Sequence, residues 1–319
     1  MHFDVFNGDA DGIIALLQLR LAEPKVAALV TGVKRDIRLL DKLEATSGDS
    51  VTVLDISMEQ NKVGLEKLLA NGLDIFYADH HKSGDIPRNA NLDAHIDLDA
   101  NTCTALIIDE LLAGRYHAWA ITAAYGDNLI AKADELADKE GLSDEQKQQL
   151  KELGTLINYN GYGAELEDLH FHPAALFHEL LAYDDPFAVI ADHNSPFLVL
   201  RAAYQADMAR ALAITAKYRS ANLAVFELPN QASSRRISGV YGNHLANQAP
   251  NSAHAVLTEN RDGTYTVSLR APLNNKQGAG DICIQFPSGG GRAAAAGVNA
   301  LPKEQLTAFI EVVEQYYRT

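Results

Sequence analysis

The chain has 319 residues, 47% hydrophobic and 22% charged, with a formal net charge of −15. That length suggests two domains with sizeable cores, and the composition is that of a soluble globular protein. The acid excess argues against holding long nucleic acid by covering many phosphates with Lys and Arg, and leaves room for a small phosphate ligand or a carboxylate cluster around a metal. No apolar run nears the roughly 20 residues needed to span a bilayer, and Met1-His2-Phe3-Asp4 does not open a basic-then-apolar leader. Cys103 and Cys283 show no paired spacing. Two such thiols make neither a disulfide framework nor a thiolate metal site, so a reducing, cytoplasmic setting is expected.

Residues 2–6 read as a strand, followed by a turn, Asn7-Gly8-Asp9-Ala10-Asp11-Gly12. Residues 13–21 carry apolar side chains on a helical period, closed by Pro24. Residues 26–30 form a second apolar run, and 51–55 a third that ends on Asp55. A helix is predicted over about 59–70 with Asn71-Gly72 as its stop, then a fourth run, 73–77, leading to Asp79-His80-His81. This alternation predicts an α/β domain with a mainly parallel sheet. Ligands of such sheets bind beyond the carboxyl ends of the strands. Asp9, Asp11, Asp55, Asp79, His80 and His81 all fall there, so six candidate ligands from three strands converge on one edge.

Residues 92–96 suggest another strand. Asn101-Thr102-Cys103-Thr104 reads as a turn and cap opening a helix to Leu112. Residues 116–125 and 129–137 read as helices separated by Gly126-Asp127-Asn128, which adds a carboxylate at a break. From 143 to about 219 the chain reads as mostly helix, opened by a Ser143/Gln146 capping box and broken at 161–163, Pro173, Pro186 and Pro196; it is expected to be a helical connector. A second α/β pattern follows: a strand at 223–228, a short helix at 240–247, and strands at 253–259 and 265–270 around an Asp262-Gly263 hairpin turn. Next come a short helix to 286, a glycine loop Ser288-Gly289-Gly290-Gly291-Arg292, a tightly packed helix start at 293–296, and a terminal helix over 301–317 with Pro302 in its first turn.

Each acidic motif alone is best read structurally. Asp is favoured at helix N-termini, and perturbed carboxylates are often only structural. Caps need not fall at successive strand ends beside an Asp-His-His, however, so together they favour a metal site. Asp9, Asp11, Asp55, His80 and Asp127 offer oxygen and nitrogen without thiolate, which suits Mn²⁺ or Mg²⁺, with imidazole tilting toward Mn²⁺. Two such ions about 3.5–4 Å apart could serve an in-line phosphoryl displacement, with Asp55 as the natural bridge. Gly289, Gly290, Gly291 and Arg292 offer backbone N–H groups and a guanidinium to a phosphate, and Arg270 could join them. His170, His172 and His178 read as structural, and Lys34-Arg35 and Arg235-Arg236 as solvated surface charge.

Asp9-Ala10-Asp11-Gly12, Asp55, Asp79-His80-His81 and Asp127 resemble the successive motifs of the DHH phosphoesterases. Ser268-Leu269-Arg270 and the stretch from Ser288 through Gly297 resemble the smaller DHH-associated substrate domain, so the resemblance spans nearly the whole chain. It implies a DHH catalytic domain at 1–190 with the connector beginning near 143, a linker helix at 191–221 and a substrate-binding domain at 222–319. It also implies a two-ion, usually Mn²⁺, site held by Asp9, Asp11, Asp55, His80 and Asp127, with Asp55 bridging. His81 would contact the scissile phosphate and Asp79 would orient the imidazoles. Arg270, Gly289, Gly290, Gly291 and Arg292 would hold the substrate's terminal base or phosphate.

Two positions depart from the family pattern. Many members carry His four residues before the first Asp, where this chain has Val5, so one ion is expected to have a thinner shell completed by Asn7 or water. The glycine loop commonly ends in His, where this chain has Arg292. Within the family the net charge disfavours long single strands, and no further oligonucleotide-binding domain is evident. Residues 270–319 hold only Lys276 and Lys303, too few for a pyrophosphatase clamp. The expected activity is hydrolysis of short oligoribonucleotides, foremost the dinucleotide pGpG of cyclic di-GMP signalling, as in nanoRNases, with no membrane partner and a homodimer compatible with the sequence. The alternatives are a RecJ-like single-strand exonuclease, a cyclic dinucleotide phosphodiesterase, or a nucleotide-binding regulator without catalysis.

Overall fold

A computed structural model describes residues 1–318; Thr319, the end of the expected second domain, lies outside the described residues. The chain divides into two compact units, Met1–Ala202 and Ala203–Thr319, with the division inside one helix, Pro196–Leu212. Among the described residues, no helix is long and apolar enough to cross a membrane.

The first unit is α/β, as expected. Its strands are β1 (His2–Phe6), β2 (Ala28–Val30), β3 (Ser50–Leu54), β4 (Asp74–Asp79) and β5 (Leu92–Ile96). They form one wholly parallel sheet in the order β2-β1-β3-β4-β5. In this order the chain leaves β1 in one direction for β2 and returns to its other side for β3, so the crevice between β1 and β3 is the topological switch point. The turns after β1 and β3 carry Asp9 and Asp55.

Val5, Val51, Val53, Ile75 and Tyr77 face one apolar layer, completed by Leu65, Leu68 and Leu69 of helix α2 (Lys62–Ala70) and by Leu39 and Leu40. Helix α2 starts three residues later than expected, because residues 57–61 form a turn in which the Asn61 side chain donates to the carbonyls of Ile37 and Ser57. On the other face lies α1 (Ala10–Ala22), buried on nearly every side. Its Arg20 grips Asp4 of β1 through two hydrogen bonds, Nε donating to Oδ2 at 2.8 Å. Burial would raise the Asp4 carboxyl, but the Arg20 and His2 bonds leave it lowered.

Helices α3 (Thr104–Leu111), α4 (His117–Gly126), α5 (Ile130–Lys139) and α6 (Asp144–Gly161) continue this side. The region from 143, expected to be a helical connector, opens with α6. The Ser143/Gln146 capping box is present, but α6 buries Leu150, Leu153, Leu156 and Ile157 within the first unit. Two glycines allow its backbone to meet α4: a Cβ on Gly154 would lie 2.1 Å from the Thr122 carbonyl oxygen, and one on Gly126 would lie 2.8 Å from the Gly154 oxygen. Helices α7 (Pro173–Leu180), α8 (Pro186–Ala191) and α9 (Pro196–Leu212) follow, each starting at the proline read as a break. His172 caps α7, its Nδ1 accepting from the Ala174 N–H, and His170 bonds the Tyr159 hydroxyl.

The second unit has a mixed six-stranded sheet in the order β10-β11-β9-β8-β7-β6. Its strands are β6 (Tyr218–Arg219), β7 (Leu223–Leu228), β8 (Ala253–Glu259), β9 (Tyr265–Arg270), β10 (Gly289–Gly291) and β11 (Ala295–Leu301). Helices α10 (Ala232–Gln248), α11 (Ala279–Cys283) and α12 (Leu306–Tyr317) accompany it. Four expectations fail here. The helix expected at 240–247 begins at Ala232 and runs through Ser238-Gly239, its face of Ile237, Val240, Tyr241 and Leu245 buried. Gly289–Gly291 is an edge strand rather than a loop, and residues 295–301 are its antiparallel partner rather than a helix start, because β11 also pairs with β9. The terminal helix begins at Leu306, after a short 3₁₀ turn.

Two outcomes are expected. Gly154→Ala should lower stability by about 1–3 kcal/mol, the usual cost of overpacking, measured by denaturant unfolding; an unchanged midpoint would contradict the close α4–α6 contact. Burial and the Arg219 charge push the His254 imidazole of β8 from 6.5 down to about 4. Between those values the unfolded chain binds the extra proton, so stability should fall as pH drops from 6.5 toward 4. The His254→Gln variant should show a shallower slope of stability against pH in that window.

Candidate metal centre

Asp9 is the N-cap of α1, its Oδ1 accepting from the N–H groups of Asp11 and Gly12 at 3.1 Å. The cap reading of that residue is therefore correct as far as one oxygen goes. Asp11, one turn in, is buried and caps a different helix. Its Oδ2 accepts from the Thr104 N–H at 2.8 Å and its Oδ1 from the Ala105 N–H at 2.7 Å, so α3 is capped by α1 rather than by its own Asn101–Thr104 turn, as the sequence suggested.

Asp55 follows β3 with φ of +59°, a left-handed conformation that Asp adopts more readily than most residues, at a cost of about 1–3 kcal/mol. The turn aims a buried carboxylate at the sheet edge, where Oδ1 accepts from the Thr104 hydroxyl at 3.1 Å.

His80 donates Nδ1–H to the Thr102 carbonyl at 3.0 Å. That bond fixes the tautomer in which Nε2 carries the lone pair, the form that ligates metals. Nε2 faces Asp55 Oδ1 at 3.4 Å and Asp11 Oδ2 at 3.7 Å. His81 donates Nδ1–H to Asp79 Oδ1 at 2.7 Å, and its Nδ1 is 3.8 Å from Asp55 Oδ1. Asp79 is fully buried, and its Oδ2 has no hydrogen-bond partner among the described residues. Asp55, His80 and His81 can each offer an atom within 4.8 Å of the others, close enough to share one ion.

Asp127 caps the C-terminus of α4, a helix buried along most of its length, so packing rather than local sequence delivers its carboxylate. Its partner is a residue the sequence reading assigned to the surface. Lys34 Nζ bonds Asp9 Oδ2 at 2.5 Å and Asn158 Oδ1 at 3.1 Å, and lies 3.9 Å from Asp127 Oδ1. Nothing in the local sequence marks Lys34 or Asn158. Asn7 does not complete an ion's shell: its amide donates to the Lys34 carbonyl and its Oδ1 accepts from the Asp9 N–H. Val5 lies in the apolar layer.

The charges fall into two groups. Burial works to raise Asp9, but the Lys34 ammonium holds it below the usual carboxylate range. Lys34 is itself held above its usual range, since the Asp9, Tyr162 and Asp127 charges outweigh burial. Asp55 is pushed well above the ordinary carboxylate range by burial and by Asp11, Asp9, Asp79 and Asp127 around it. Asp9 thus has a cation beside it, whereas Asp55 has other carboxylates around it. The donor set there, carboxylate with a correctly tautomerised imidazole, fits a divalent ion. Cys103 is no competitor, because burial and the neighbouring Asp11 and Asp127 keep its thiol protonated.

In the second unit, Arg270 ends β9 half-buried, with Nε donating to Asn243 Oδ1 at 2.6 Å, Nη1 to Ser268 Oγ at 3.0 Å and Nη2 to the Gly239 carbonyl at 3.2 Å. It is a positioned guanidinium rather than a solvated one. Arg292 follows β10, its N–H donating to the Ala295 carbonyl at 2.9 Å in the turn to β11. Arg236, expected on the surface, pairs with buried Asp207 at 2.9 Å.

Residues 220–319 match the DHHA1 domain. No curated protein matches the chain. Among solved structures, the manganese-bound exonuclease RecJ superposes with a TM-score of 0.56 at 18% identity, over 99% of this chain and 90% of its own. A pGpG-specific phosphodiesterase, PggH of Vibrio cholerae, gives 0.53 at 12% identity over 99% of each chain. An exopolyphosphatase-related protein of Bacteroides fragilis gives 0.51 at 14% identity, over 99% of this chain and 92% of its own. Residues 220–319 thus carry the DHHA1 domain that the sequence resembles, and the fold of the chain is the one these structures share.

Asp55→Asn should raise the melting temperature of the metal-free protein, because it removes a buried like charge while keeping a side chain that tolerates positive φ. It should also abolish any stabilisation by Mn²⁺; a metal-free variant less stable than the parent would contradict the charge imbalance at this residue.

Proposed function

We propose that the chain is a divalent-metal-dependent phosphodiesterase that hydrolyses short oligoribonucleotides, foremost dinucleotides such as pGpG, to mononucleotides. The observation that carries this reading is the convergence of Asp55, His80 and His81 at the carboxyl edge of a parallel sheet, with further carboxylates around Asp55. Asp55 and His80 would hold the ion, with Asp11 Oδ2 lying 3.7 Å from His80 Nε2. A divalent ion there, when bound, supplies Lewis acidity to a phosphoryl oxygen and makes water nucleophilic near neutral pH. His81, its Nδ1–H on Asp79, would as an imidazolium donate Nε2–H to a phosphoryl oxygen and offset charge as it develops. Thr102 and Thr104 would act through His80 and Asp55 by fixing their side chains. In the DHHA1 unit, Arg270, the backbone of Gly289, Gly290 and Gly291, and Arg292 would hold the terminal phosphate or base.

The full-length likeness to a pGpG-specific phosphodiesterase supports a dinucleotide. The net charge of −15 supports a short substrate over a long strand. Purified protein with Mn²⁺ should release GMP from pGpG, faster than it shortens hepta-ribonucleotides or single-stranded DNA. His80→Ala and Asp55→Ala should each reduce that rate at least about 100-fold, as expected on removing a group that holds or completes a catalytic ion. Processive degradation of long single strands with pGpG left intact would favour the RecJ-like reading instead. Tight pGpG binding without turnover would favour a regulator.

A further inference from the structure

We infer that the Lys34 ammonium takes the place of one of the two ions the family resemblance implies. The centre then holds one divalent cation, beside Asp55 and His80, and one fixed lysine charge, between Asp9 and Asp127. The inference rests on the metal-dependent reading above and concerns the make-up of the same site.

Three independent features support it. First, the ammonium already occupies the carboxylates that would flank the second ion, bonding Asp9 Oδ2 at 2.5 Å and lying 3.9 Å from Asp127 Oδ1. It also donates to Asn158 Oδ1 at 3.1 Å, an amide buried on α6, so two of its donors meet protein oxygens while Asp127 stands off as a longer ion pair.

Second, the lysine is placed by the fold. Its N–H donates to the Gly161 carbonyl at 2.8 Å, its carbonyl accepts from Asn7 Nδ2 at 3.1 Å, and the Tyr162 ring lies 5.4 Å from Nζ. A surface lysine would lack this backbone clamp and would not lie over an aromatic face.

Third, the ligand supply is lopsided. The position that brings a histidine to this side in many family members is Val5, which faces the apolar layer. Among the described residues, the one group of three His, Cys, Asp or Glu side chains able to share an ion is Asp55, His80 and His81, on the other side of the centre. A second divalent ion between Asp9 and Asp127 would have to displace the ammonium or sit against its like charge.

The division has chemical content. A divalent ion polarises a phosphoryl oxygen and acidifies water, whereas an ammonium offers a compact single charge and hydrogen-bond donors without acidifying water. Lys34 would therefore offset phosphate charge, and the nucleophile would be generated on the Asp55 side.

The test is the number of ions bound, read by native mass spectrometry and by the EPR spectrum of the full chain titrated with Mn²⁺. The wild-type protein should bind one Mn²⁺ per chain and show no spin coupling. Lys34→Ala should bind two and show the coupled spectrum of a pair. Asp127→Asn should still bind one, which decides the matter even if Lys34→Ala fails to fold. Two ions in the wild type, falling to one in Asp127→Asn, would overturn the inference, as would none. Hydrolysis of pGpG with two ions bound refutes the lysine and keeps the proposed function; one ion bound with pGpG untouched does the reverse.

Discussion

The first unit is built around buried negative charge. Asp9, Asp11, Asp55 and Asp79 are withdrawn from water at the edge of one parallel sheet, and the Asp127 side chain is only 7% exposed beside them. Carboxylates so placed are tolerable only where each finds a donor or a cation. The fold answers four of them locally. Asp9 takes the first N–H groups of α1 and the Lys34 ammonium, Asp11 takes the first N–H groups of α3, Asp79 takes the His81 imidazole, and Asp127 lies near Lys34. Asp55 receives a single hydroxyl, from a backbone conformation that is itself strained. Asp55 also sits beside the imidazole whose tautomer is set for ligation.

This arrangement explains why so much of the chain is structural support. The loop from Asp97 to Cys103 reads as an ordinary turn, yet its Thr102 carbonyl sets the His80 tautomer and the helix it opens supplies Thr104 to Asp55 and two N–H groups to Asp11. Helix α6 carries Asn158 to Lys34, and ends at Gly161, whose carbonyl holds the Lys34 backbone. Its approach depends on glycine at 126 and 154, immediately before and across from Asp127. The helices after α3 are accordingly part of the first unit's core and of its charge balance.

The carboxylate side of the centre was legible in the sequence because its signals are local. β-Branched and apolar runs that end on Asp or His read directly as strand ends, and β1 and β5 match their expected bounds residue for residue. What escaped is long-range. Lys34 in a Lys-Arg pair looks like any surface cation, and only the packing of the segment after β2 against Gly161 reveals its target. Gly289–Gly291 has no strand propensity; it is a strand because β11 offers it a ladder, and Ala295 and Ala296 lose their helical preference to pairing with β9. The helix α10 passes through Ser238-Gly239 because its apolar face is buried on the sheet, which outweighs the roughly 1 kcal/mol that a glycine costs a helix.

Val5 and Lys34 are best understood together. β1 alternates its side chains, so Asp4 and Phe6 meet α1 and the helices beyond it, while Val5 turns to the layer of Leu39, Leu40 and Leu65. A residue in that layer gives no ligand to the Asp9 side, and an ion there would depend on carboxylates alone. Asp9 and Asp127 would repel one another without a cation, and Lys34, in the turn after β2 and held there by its own backbone, brings an ammonium to both. On the inference drawn above, Val5 and Lys34 belong to one arrangement: no ligand from β1, and a permanent charge from beyond β2. Asp55, beside His80 and His81, would then be where a divalent ion is held.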